Sequence, residues 1–240
     1  MARRSKKKNH KIVLSLLSIL IFILASYYQD EIEVFILKAT GNYVTYGLEE
    51  VPEYTGKDYV IIDDNEPNFK EADYKIKNNE IYSDLDSLGR AGVASAIISI
   101  DTMPTEERGS IGSVKPSGWH TIKYNNIDGK YLYNRCHLIG YQLTGENANE
   151  KNLITCTRQM NTGIMLDYEN KIAKYIEKTN NSVLYRVTPI YRNDNLLASG
   201  VEMEAESLED NGKGIKFHVY VYNVQDGIEI DYATGESSKK

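Results

Sequence analysis

The 240-residue sequence is poor in cysteine, with only two, and it has a single tryptophan. Two cysteines are too few for the disulfide framework of a small secreted domain. Nineteen residues separate Cys136 from Cys156, and the neighbouring His137 completes no common zinc-ligand spacing with them. We interpret the cysteines as two small buried thiols. A bridge between them is the alternative, since an export compartment would permit it.

Acidic residues are absent before Asp30, whereas six lysines and arginines lie within the first eleven residues. Ile12–Ser26 then runs for 15 residues without a charge. A positive segment followed by an apolar one is typical of a bacterial export signal, although a spanning helix needs roughly 17–25 apolar residues. Residues 1–28 are therefore predicted to be a signal peptide or an uncleaved N-terminal membrane anchor. No clear A-x-A cleavage site follows and we favour the anchor; either way the bulk of the chain is expected outside the cytoplasm.

The rest of the chain has a deficit of positive charge. From Asp30 onward, 22 basic residues face 34 acidic ones, which gives a net charge of −12. This balance argues against a protein that coats nucleic acid through a broad basic surface. A polyanionic substrate would need a local cationic cleft within a repelling field.

No internal repeat is visible, and the remaining sequence divides into a predicted linker or stalk, residues 29–56, and one domain, residues 57–236. Residues 165–178 of the domain have apolar residues at a helical period. Six segments have the apolar pattern of strands: residues 59–63, 92–100, 131–139, 183–191, 197–207 and 215–224. Because strands dominate without regular βα alternation, we predict an α+β fold around a mostly antiparallel central sheet.

The segment NRCHLIGYQL, residues 134–143, brings an arginine, a cysteine and a histidine together. Adjacent residues of a strand point to opposite faces, so Cys136 and His137 cannot readily act as a nucleophile and its base. The same alternation places Arg135 with His137 on one face, and Asn134 with Cys136 on the other. A cation beside a titratable imidazole indicates a catalytic site. The alternatives are a structural arginine–histidine pair and a thiol hydrolase that uses Cys136.

Asn161 and Glu169 lie downstream, just before and within the predicted helix. Eight residues at 100° each would leave their side chains roughly 80° apart around a helix, close enough to share a hydrated ion. Taken alone, the asparagine could be a turn or helix-start residue, and the glutamate could be a solvated acid.

Together these segments resemble the DNA/RNA non-specific endonuclease family of ββα-metal, or His-Me finger, nucleases, in its secreted or membrane-anchored Gram-positive form. NRCH stands where the family has D-R-G-H. The resemblance covers roughly residues 52–236 and includes four further segments: LDSLGRAGVA, RGSIGSVKPSGWHT, LIGYQLTGENANEKNLIT and VYNVQDGIEIDYATG. It implies a ββα-metal finger, made of the strand that bears His137 and a helix that starts near Asn161.

The resemblance also implies roles for three of these residues. His137 would be the general base, Asn161 the direct ligand of Mg²⁺, and Glu169 the holder of the waters on the ion. A neutral imidazole with an ordinary pKa of about 6.5 can deprotonate water near neutral pH. Mg²⁺ prefers oxygen ligands and retains several waters, so one amide oxygen is a sensible partial shell. Mn²⁺ is expected to substitute.

Cationic and amide side chains near the motif are the predicted contacts of the substrate. Arg135 of the motif would contact phosphate. An upstream arginine that steadies the scissile phosphate maps to Arg108, with Arg90 as its rival. Arg158 and Asn134 are further candidates for substrate binding.

Asn134 replaces the family's aspartate and Cys136 its glycine, but neither change touches the predicted base or metal ligand. The sequence therefore predicts a Mg²⁺-dependent endonuclease that cuts DNA, or also RNA, outside the cytoplasm with slight sequence preference, since phosphate contacts carry no base information. Its expected partners are nucleic acid and, through an uncleaved N-terminus, the membrane; no small-molecule cofactor is expected. The alternative is a catalytically inactive surface module that binds nucleic acid or protein.

Overall fold

The computed structural model describes residues 15, 17–19, 32, 36, 38–40, 43–76 and 79–240. The chain divides into two units, Met1–Val44 and Thr45–Lys240, and the described residues before residue 41 are helical. None of the helical stretches in these ranges combines the length and the apolarity that crossing a bilayer requires. Most of the predicted signal or anchor, residues 1–28, lies outside the described residues and stays a prediction.

The second unit is built from strands with three α-helices inserted among them, counting only the residues that the structure describes. The strands are β1 (Thr45–Tyr46), β2 (Tyr59–Ile62), β3 (Glu80–Tyr82), β4 (Ala94–Ile98), β5 (Tyr133–His137), β6 (Leu153–Thr157), β7 (Val183–Ile190), β8 (Gly200–Ser207), β9 (Lys216–Tyr222), β10 (Ile228–Ile230) and β11 (Ser237–Lys239). The α-helices are α1 (Tyr141–Thr144), α2 (Arg158–Thr162) and α3 (Ile164–Thr179). Short 3₁₀ turns cover Leu48–Glu50, Asp63–Asn65, Asp73–Lys75 and Glu150–Asn152.

Seven strands form one sheet in the order β1-β2-β9-β8-β7-β4-β3. Strands β1 and β2 pair in parallel, and all the other neighbours in this sheet are antiparallel. Two separate antiparallel pairs, β5–β6 and β10–β11, lie outside it. The predicted α+β fold with a mostly antiparallel central sheet is confirmed.

One face of the seven-stranded sheet carries the main core, because apolar side chains occupy alternate positions of its central strands. On β7, β8 and β9 these are Val183, Tyr185, Val187, Val201, Met203, Ala205, Phe217, Val219 and Val221. Strands β5 and β6 and helix α3 join the same core through residues such as Cys136, Ile154 and Ile172. Several of the intervening positions of the central strands carry polar side chains on the opposite face: Arg186, Thr188, Glu202, Glu204 and His218.

Cys136 and Cys156 form a disulfide, so the interpretation of these residues as two free thiols is wrong. The two residues lie diagonally across the β5–β6 ladder, where Cys136 pairs with Ile154 and Cys156 pairs with Asn134. Their Cα atoms are 5.8 Å apart, an ordinary separation for a disulfide. The spacing along the chain does not reveal this contact, because the register of β5 and β6 creates it. A buried disulfide offers no thiolate, so the thiol hydrolase alternative is excluded.

The helical region after β6 consists of two helices rather than one. Gly163 lies between α2 and α3 with φ −99° and ψ −124°, outside the helical range. A Cβ atom at this position would lie 2.6 Å from the carbonyl oxygen of Gln159, so the break requires glycine. Asn161 therefore lies in α2 and Glu169 in α3. The predicted angle of roughly 80° between them, which assumes one continuous helix, is wrong.

The folded unit extends beyond both ends of the predicted domain, residues 57–236. Strand β1 pairs with β2, and the segment between them packs Leu48, Val51 and Tyr54 against the core residue Tyr222. The rings of Tyr54 and Tyr222 meet edge to face with 5.6 Å between centroids. Strand β11 pairs with β10 at the other end. Residues 45–56 are thus part of the folded unit, because their apolar side chains complete its second core.

Candidate active site

His137 ends β5 and is buried, with 7% of its surface exposed. Its Nε2 lies 2.7 Å from the carbonyl oxygen of Asn147, and its Nδ1 lies 3.3 Å from Nη2 of Arg108. A carbonyl only accepts hydrogen bonds and a guanidinium only donates them, so the ring is neutral with its proton on Nε2. Burial lowers the pKa of His137 from its ordinary value of 6.5; the Asn147 carbonyl opposes this shift and Arg108 reinforces it. Nδ1 is therefore the basic nitrogen of the site.

Arg108 reaches His137 from the long loop between β4 and β5, and this loop is fixed on both sides of the arginine. Before it, the carbonyl of Glu106 accepts a hydrogen bond from the hydroxyl of Tyr141 at 2.8 Å. After it, Gly109 lies so close to Asn147 that a Cβ atom would be 2.7 Å from Nδ2 of the asparagine. The residue whose carbonyl orients His137 thus also packs closely against the loop that carries Arg108.

Arg90, the rival of Arg108, is engaged in a different network. Its Nε pairs with the carboxylate of Asp86 at 2.7 Å, and its Nη1 donates to the carbonyls of Asn193 and Asn195. The guanidinium also lies over the ring of Tyr191, 4.7 Å from the centroid. Arg108, and not Arg90, is the arginine beside the histidine.

Glu169 is an acid on the buried face of α3, with 7% of its surface exposed. Its Oε1 accepts the backbone N–H of Gly140 at 2.9 Å, and a Cβ atom on Gly140 would lie 2.5–2.8 Å from three atoms of the carboxyl group. Burial raises the pKa of Glu169 to about 8, while the Gly140 N–H and Arg108 lower it. Arg108 acts electrostatically on both Glu169 and His137, so these three side chains share one site.

Asn152 is a further residue of the site that sequence patterns did not indicate. It is fully buried, and its side chain pairs with both backbone groups of Ile139: Oδ1 accepts the N–H at 2.9 Å and Nδ2 donates to the carbonyl at 3.0 Å. These two hydrogen bonds fix the short segment between His137 and Gly140. The backbone N–H of Gly140 in turn donates to the carboxyl group of Glu169. The available signal is an asparagine directly before an apolar strand, but such residues usually cap or turn the chain.

Asn161 lies in α2, which packs against β5 and β6. The start of this helix is anchored by Thr157, whose backbone N–H donates to the buried Oδ1 of Asn223 at 2.8 Å and whose Oγ1 accepts the N–H of Met160. An amide oxygen from Asn161 and the carboxylate of Glu169 are hard oxygen donors of the kind that Mg²⁺ prefers. The donor set therefore fits a magnesium ion.

Arg135 extends from the face of β5 that also bears His137, and it contacts the loop that carries Arg108. Its Nε donates to the carbonyl of Val114, and its Nη2 donates to that of Gly112 at 3.0 Å. The guanidinium also lies 3.9 Å from the ring centroid of Trp119, which packs against a small hydrophobic core. Arg135 thereby stabilises the conformation of this loop.

Two of the predicted substrate contacts lie apart from the histidine. Asn134 is on the opposite face of β5, next to Cys156 of the neighbouring strand, and its Nδ2 is buried with no hydrogen-bond partner in the described part of the chain. Arg158 starts α2, and its Nη2 pairs with Asp128 at 2.9 Å. In the described part of the chain, neither Asn134 nor Arg158 hydrogen-bonds to or forms an ion pair with Arg108, His137 or Glu169.

A family model described as DNA/RNA non-specific endonuclease matches residues 70–209, a span that includes Arg108, His137, Asn161 and Glu169. The chain belongs to this family. The resemblance that the NRCH segment and its flanks indicate is thereby confirmed. Family membership makes the chain a nuclease, a metal-dependent hydrolase of nucleic acid, and the inactive binding module is not favoured.

Solved structures of two nucleases are similar to this member of the family. NucA from Streptococcus agalactiae with magnesium ion bound is 28% identical, with a TM-score of 0.65 over 74% of this chain and 86% of that one. The same protein with no metal bound is 27% identical, with a TM-score of 0.67 over 88% and 96%. The Sda1 nuclease with bound zinc ion is 27% identical, with a TM-score of 0.61 over 76% and 97%.

Proposed function

We propose that this nuclease hydrolyses phosphodiester bonds of DNA, and of RNA where it is offered, with Mg²⁺ as its ion and His137 as its general base. The observation that carries the proposal is the pair of hydrogen bonds on the imidazole. The carbonyl of Asn147 accepts a hydrogen bond from the N–H of Nε2, and Arg108 donates one to Nδ1. A neutral ring with a lone pair on a defined nitrogen is what activation of water requires.

The histidine would act through Nδ1. Once Arg108 shifts its Nη2 from the ring to a phosphate oxygen, Nδ1 is open to a water molecule. It would accept a proton from this water as the water oxygen bonds to phosphorus and the P–O bond to the departing sugar oxygen breaks; the departing oxygen would take its proton from solvent. The carbonyl of Asn147 keeps the ring in the required orientation and tautomer. Arg108 would then stabilise the negative charge that develops on the phosphoryl oxygens.

Asn161 would hold the ion directly, and Glu169 would hold it through water. Bound Mg²⁺ supplies charge stabilisation to the phosphate and to the departing oxygen. The oxygen donors support magnesium, as does the similarity to NucA, which has been solved with a magnesium ion. The zinc ion of the Sda1 nuclease is a reason to include other divalent ions in any test. Mn²⁺ shares the oxygen preference and is proposed as a substitute.

Two further side chains are proposed to support the substrate. Arg135 would contact phosphate in addition to its loop contacts, and Arg158 would contribute a weaker contact along the strand of nucleic acid; the amide nitrogen of Asn134 is buried on the other face of β5 and is not assigned such a contact. Lysine and arginine contacts of this kind fix the position of the backbone without reading bases. Cleavage with slight sequence preference is the consequence.

The nuclease is proposed to work outside the cytoplasm. The six cations before the uncharged run Ile12–Ser26 support residues 1–28 as an export signal or an anchor, with residues 29–44 as the linker to the folded unit. An uncleaved anchor would make the membrane a partner.

A supercoiled-plasmid assay tests the proposal. The chain should nick plasmid with added Mg²⁺ or Mn²⁺ and lose activity with a chelator. Asn161→Ala should lose activity at ordinary Mg²⁺ concentrations, while Asn170→Ala, a change on the neighbouring helix, should not. Plasmid cleavage that continues in excess chelator, or an Asn161→Ala variant with normal activity, would contradict the proposed metal site.

A further inference from the structure

A second group of metal-binding side chains lies on the face of the central sheet that is turned away from His137. Glu202, Glu204 and His218 each direct one ligand atom to a common point, and these atoms lie within 4.8 Å of one another. Glu204 of β8 pairs directly with His218 of β9, and Glu202 lies two residues before Glu204 on the same face. The rigid ladder between the two strands therefore fixes all three positions.

The imidazole of His218 is almost fully buried, and its surroundings orient it as a metal-binding histidine is oriented. Nδ1 lies 2.9 Å from the carbonyl oxygen of Glu66, which directs the other nitrogen, Nε2, towards the acids. Nε2 lies 2.7 Å from Oε1 of Glu202 and 3.8 Å from Oε1 of Glu204. A carbonyl that accepts a hydrogen bond from one ring nitrogen commonly fixes the tautomer of a histidine that ligates metal through the other nitrogen.

The charge balance around this group calls for a cation. Arg186 pairs with Glu204 at 2.7 Å and with Asp73 at 3.0 Å. Glu202 adds a third carboxylate beside His218, and the carboxylate of Asp63 lies 4.0 Å from Nδ1 of His218. Four carboxylates thus surround one guanidinium, and the closest contact of that guanidinium is to the buried Glu204. Excess negative charge away from water is costly, and a divalent cation offsets more of it than one proton on His218 does.

We propose that Glu202, Glu204 and His218 form a second metal site, distinct from the catalytic one, that binds Zn²⁺. One imidazole nitrogen with carboxylate oxygens is a donor set that zinc accepts, whereas Mg²⁺ prefers oxygen alone. The separation of 2.7 Å between Nε2 and Oε1 of Glu202 must widen to roughly 3.4 Å around a tetrahedral ion with bonds of about 2.1 Å. Glu202 and Glu204 line a cavity of about 540 Å³, which gives room for this movement and for a water ligand.

The site would strengthen a structural connection, since none of its hydrogen bonds and ion pairs in the described part of the chain reaches Arg108, His137, Asn161 or Glu169. The backbone N–H of Asn68 donates to Oε1 of Glu204 at 2.7 Å, and the carbonyl of Glu66 holds His218. A metal at this point would lock the segment around these two residues onto the sheet. We therefore expect zinc bound at this site, with the catalytic site filled by Mg²⁺, to raise the unfolding temperature and to leave the catalytic constants unchanged.

Zinc binding to a variant without the catalytic ligands provides the test. The metal-free His137→Ala/Asn161→Ala protein is dialysed against Zn²⁺, and its zinc content and unfolding temperature are measured. We expect one zinc ion per chain and a higher unfolding temperature. Adding Glu202→Gln should weaken zinc binding at least tenfold. Adding Thr188→Val, a change in the lining of the same cavity, should leave it unchanged.

The state of the His218 ring gives a second readout that does not depend on a variant folding. In the nitrogen NMR spectrum of the same background protein, zinc should shift Nε2 of His218 while Nδ1 keeps its proton. A ring that stays protonated on both nitrogens in excess zinc would overturn the proposal and make the group an ion-pair network. Zinc binding unaffected by Glu202→Gln would also overturn it. Neither result bears on the nuclease mechanism, because the background protein lacks the catalytic residues.

Discussion

Nη2 of Arg108 lies 3.3 Å from Nδ1 of His137, so a permanent cation faces the nitrogen that must accept a proton. The arginine disfavours the imidazolium form and keeps the base neutral. Because it also acts on Glu169, one guanidinium links the base to the acid that would support the metal. The pKa of His137 is lowered and that of Glu169 is raised, so the pH dependence of the base and that of metal binding can be measured separately.

At saturating Mg²⁺, which keeps the carboxylate of Glu169 ionised, the acid limb of the pH–rate profile should lie below pH 6.5. Burial lowers the pKa of His137, and Arg108 lowers it further, so the base stays neutral as the pH falls past its ordinary value of 6.5. In Arg108→Gln the limb should move to higher pH, because one contribution to the low pKa is removed. The rate at the optimum should also fall about 10²-fold, since a charge-stabilising donor is lost. Profiles of kcat/KM for both proteins check this, and a limb that does not move would show that the arginine does not control the base.

Metal binding should release a proton at pH 7. Burial raises the pKa of Glu169 to about 8, so without an ion this acid is largely protonated at pH 7. The carboxylate is needed to hold the waters on the ion, and the apparent affinity for Mg²⁺ should rise by up to about tenfold per pH unit below pH 8. Calorimetric titration in buffers of different ionisation enthalpy measures the released proton. The same binding enthalpy in all buffers would contradict this role of Glu169.

Gly140→Ala should impair the site by displacing the carboxyl group of Glu169. A Cβ atom on residue 140 would lie 2.5–2.8 Å from three atoms of the Glu169 carboxyl group. The backbone φ of residue 140, −59°, suits alanine, so the backbone itself would not be strained. The effect is therefore steric, and we expect the Mg²⁺ concentration for half-maximal activity to rise roughly 10–100-fold. Gly47→Ala is the control, because its nearest contact would be an ordinary 3.7 Å. Equal metal requirements in the two variants would argue against the carboxyl contact.

The fold was largely predictable because it depends on local periodicity. Alternating residues mark β7 and β9, and the helical period of residues 165–178 matches α3, which spans Ile164–Thr179. Strand β6 was not predicted. Its five residues are all buried, so they show no alternation.

The site was predictable only where a motif carries it. His137 and Glu169 stand in the family pattern; the structure places His137 beside Arg108, and Arg108 also lowers the pKa of Glu169 electrostatically. The role of Asn147 was not predictable, because its backbone carbonyl accepts the hydrogen bond from His137 and every residue type has such a carbonyl. Gly140 acts through the absence of a Cβ atom near a helix that follows much later in the chain. Such contacts depend on tertiary packing, which no local pattern encodes.

The disulfide should stabilise the finger without taking part in the chemistry. It closes a loop across β5–β6, and a loop of this length is worth about 3 kcal/mol. Cys136→Ser/Cys156→Ser should therefore unfold roughly 6–12 °C lower than the parent protein. Below that temperature the variant should cleave plasmid at a rate within a few-fold of the parent. Full loss of activity in a folded double variant would show that the bridge is needed for the site geometry itself.

Chemical rescue of His137→Gly by added imidazole tests the central claim most directly. The variant should lose about 10²–10⁴-fold in rate, the usual contribution of a general base, while His120→Ala keeps normal activity. Free imidazole should restore part of the loss, in proportion to its neutral fraction as the pH is varied, with Mg²⁺ still required. A variant that keeps its activity, or one that imidazolium restores as well as imidazole does, would contradict the assignment of Nδ1 of His137 as the base.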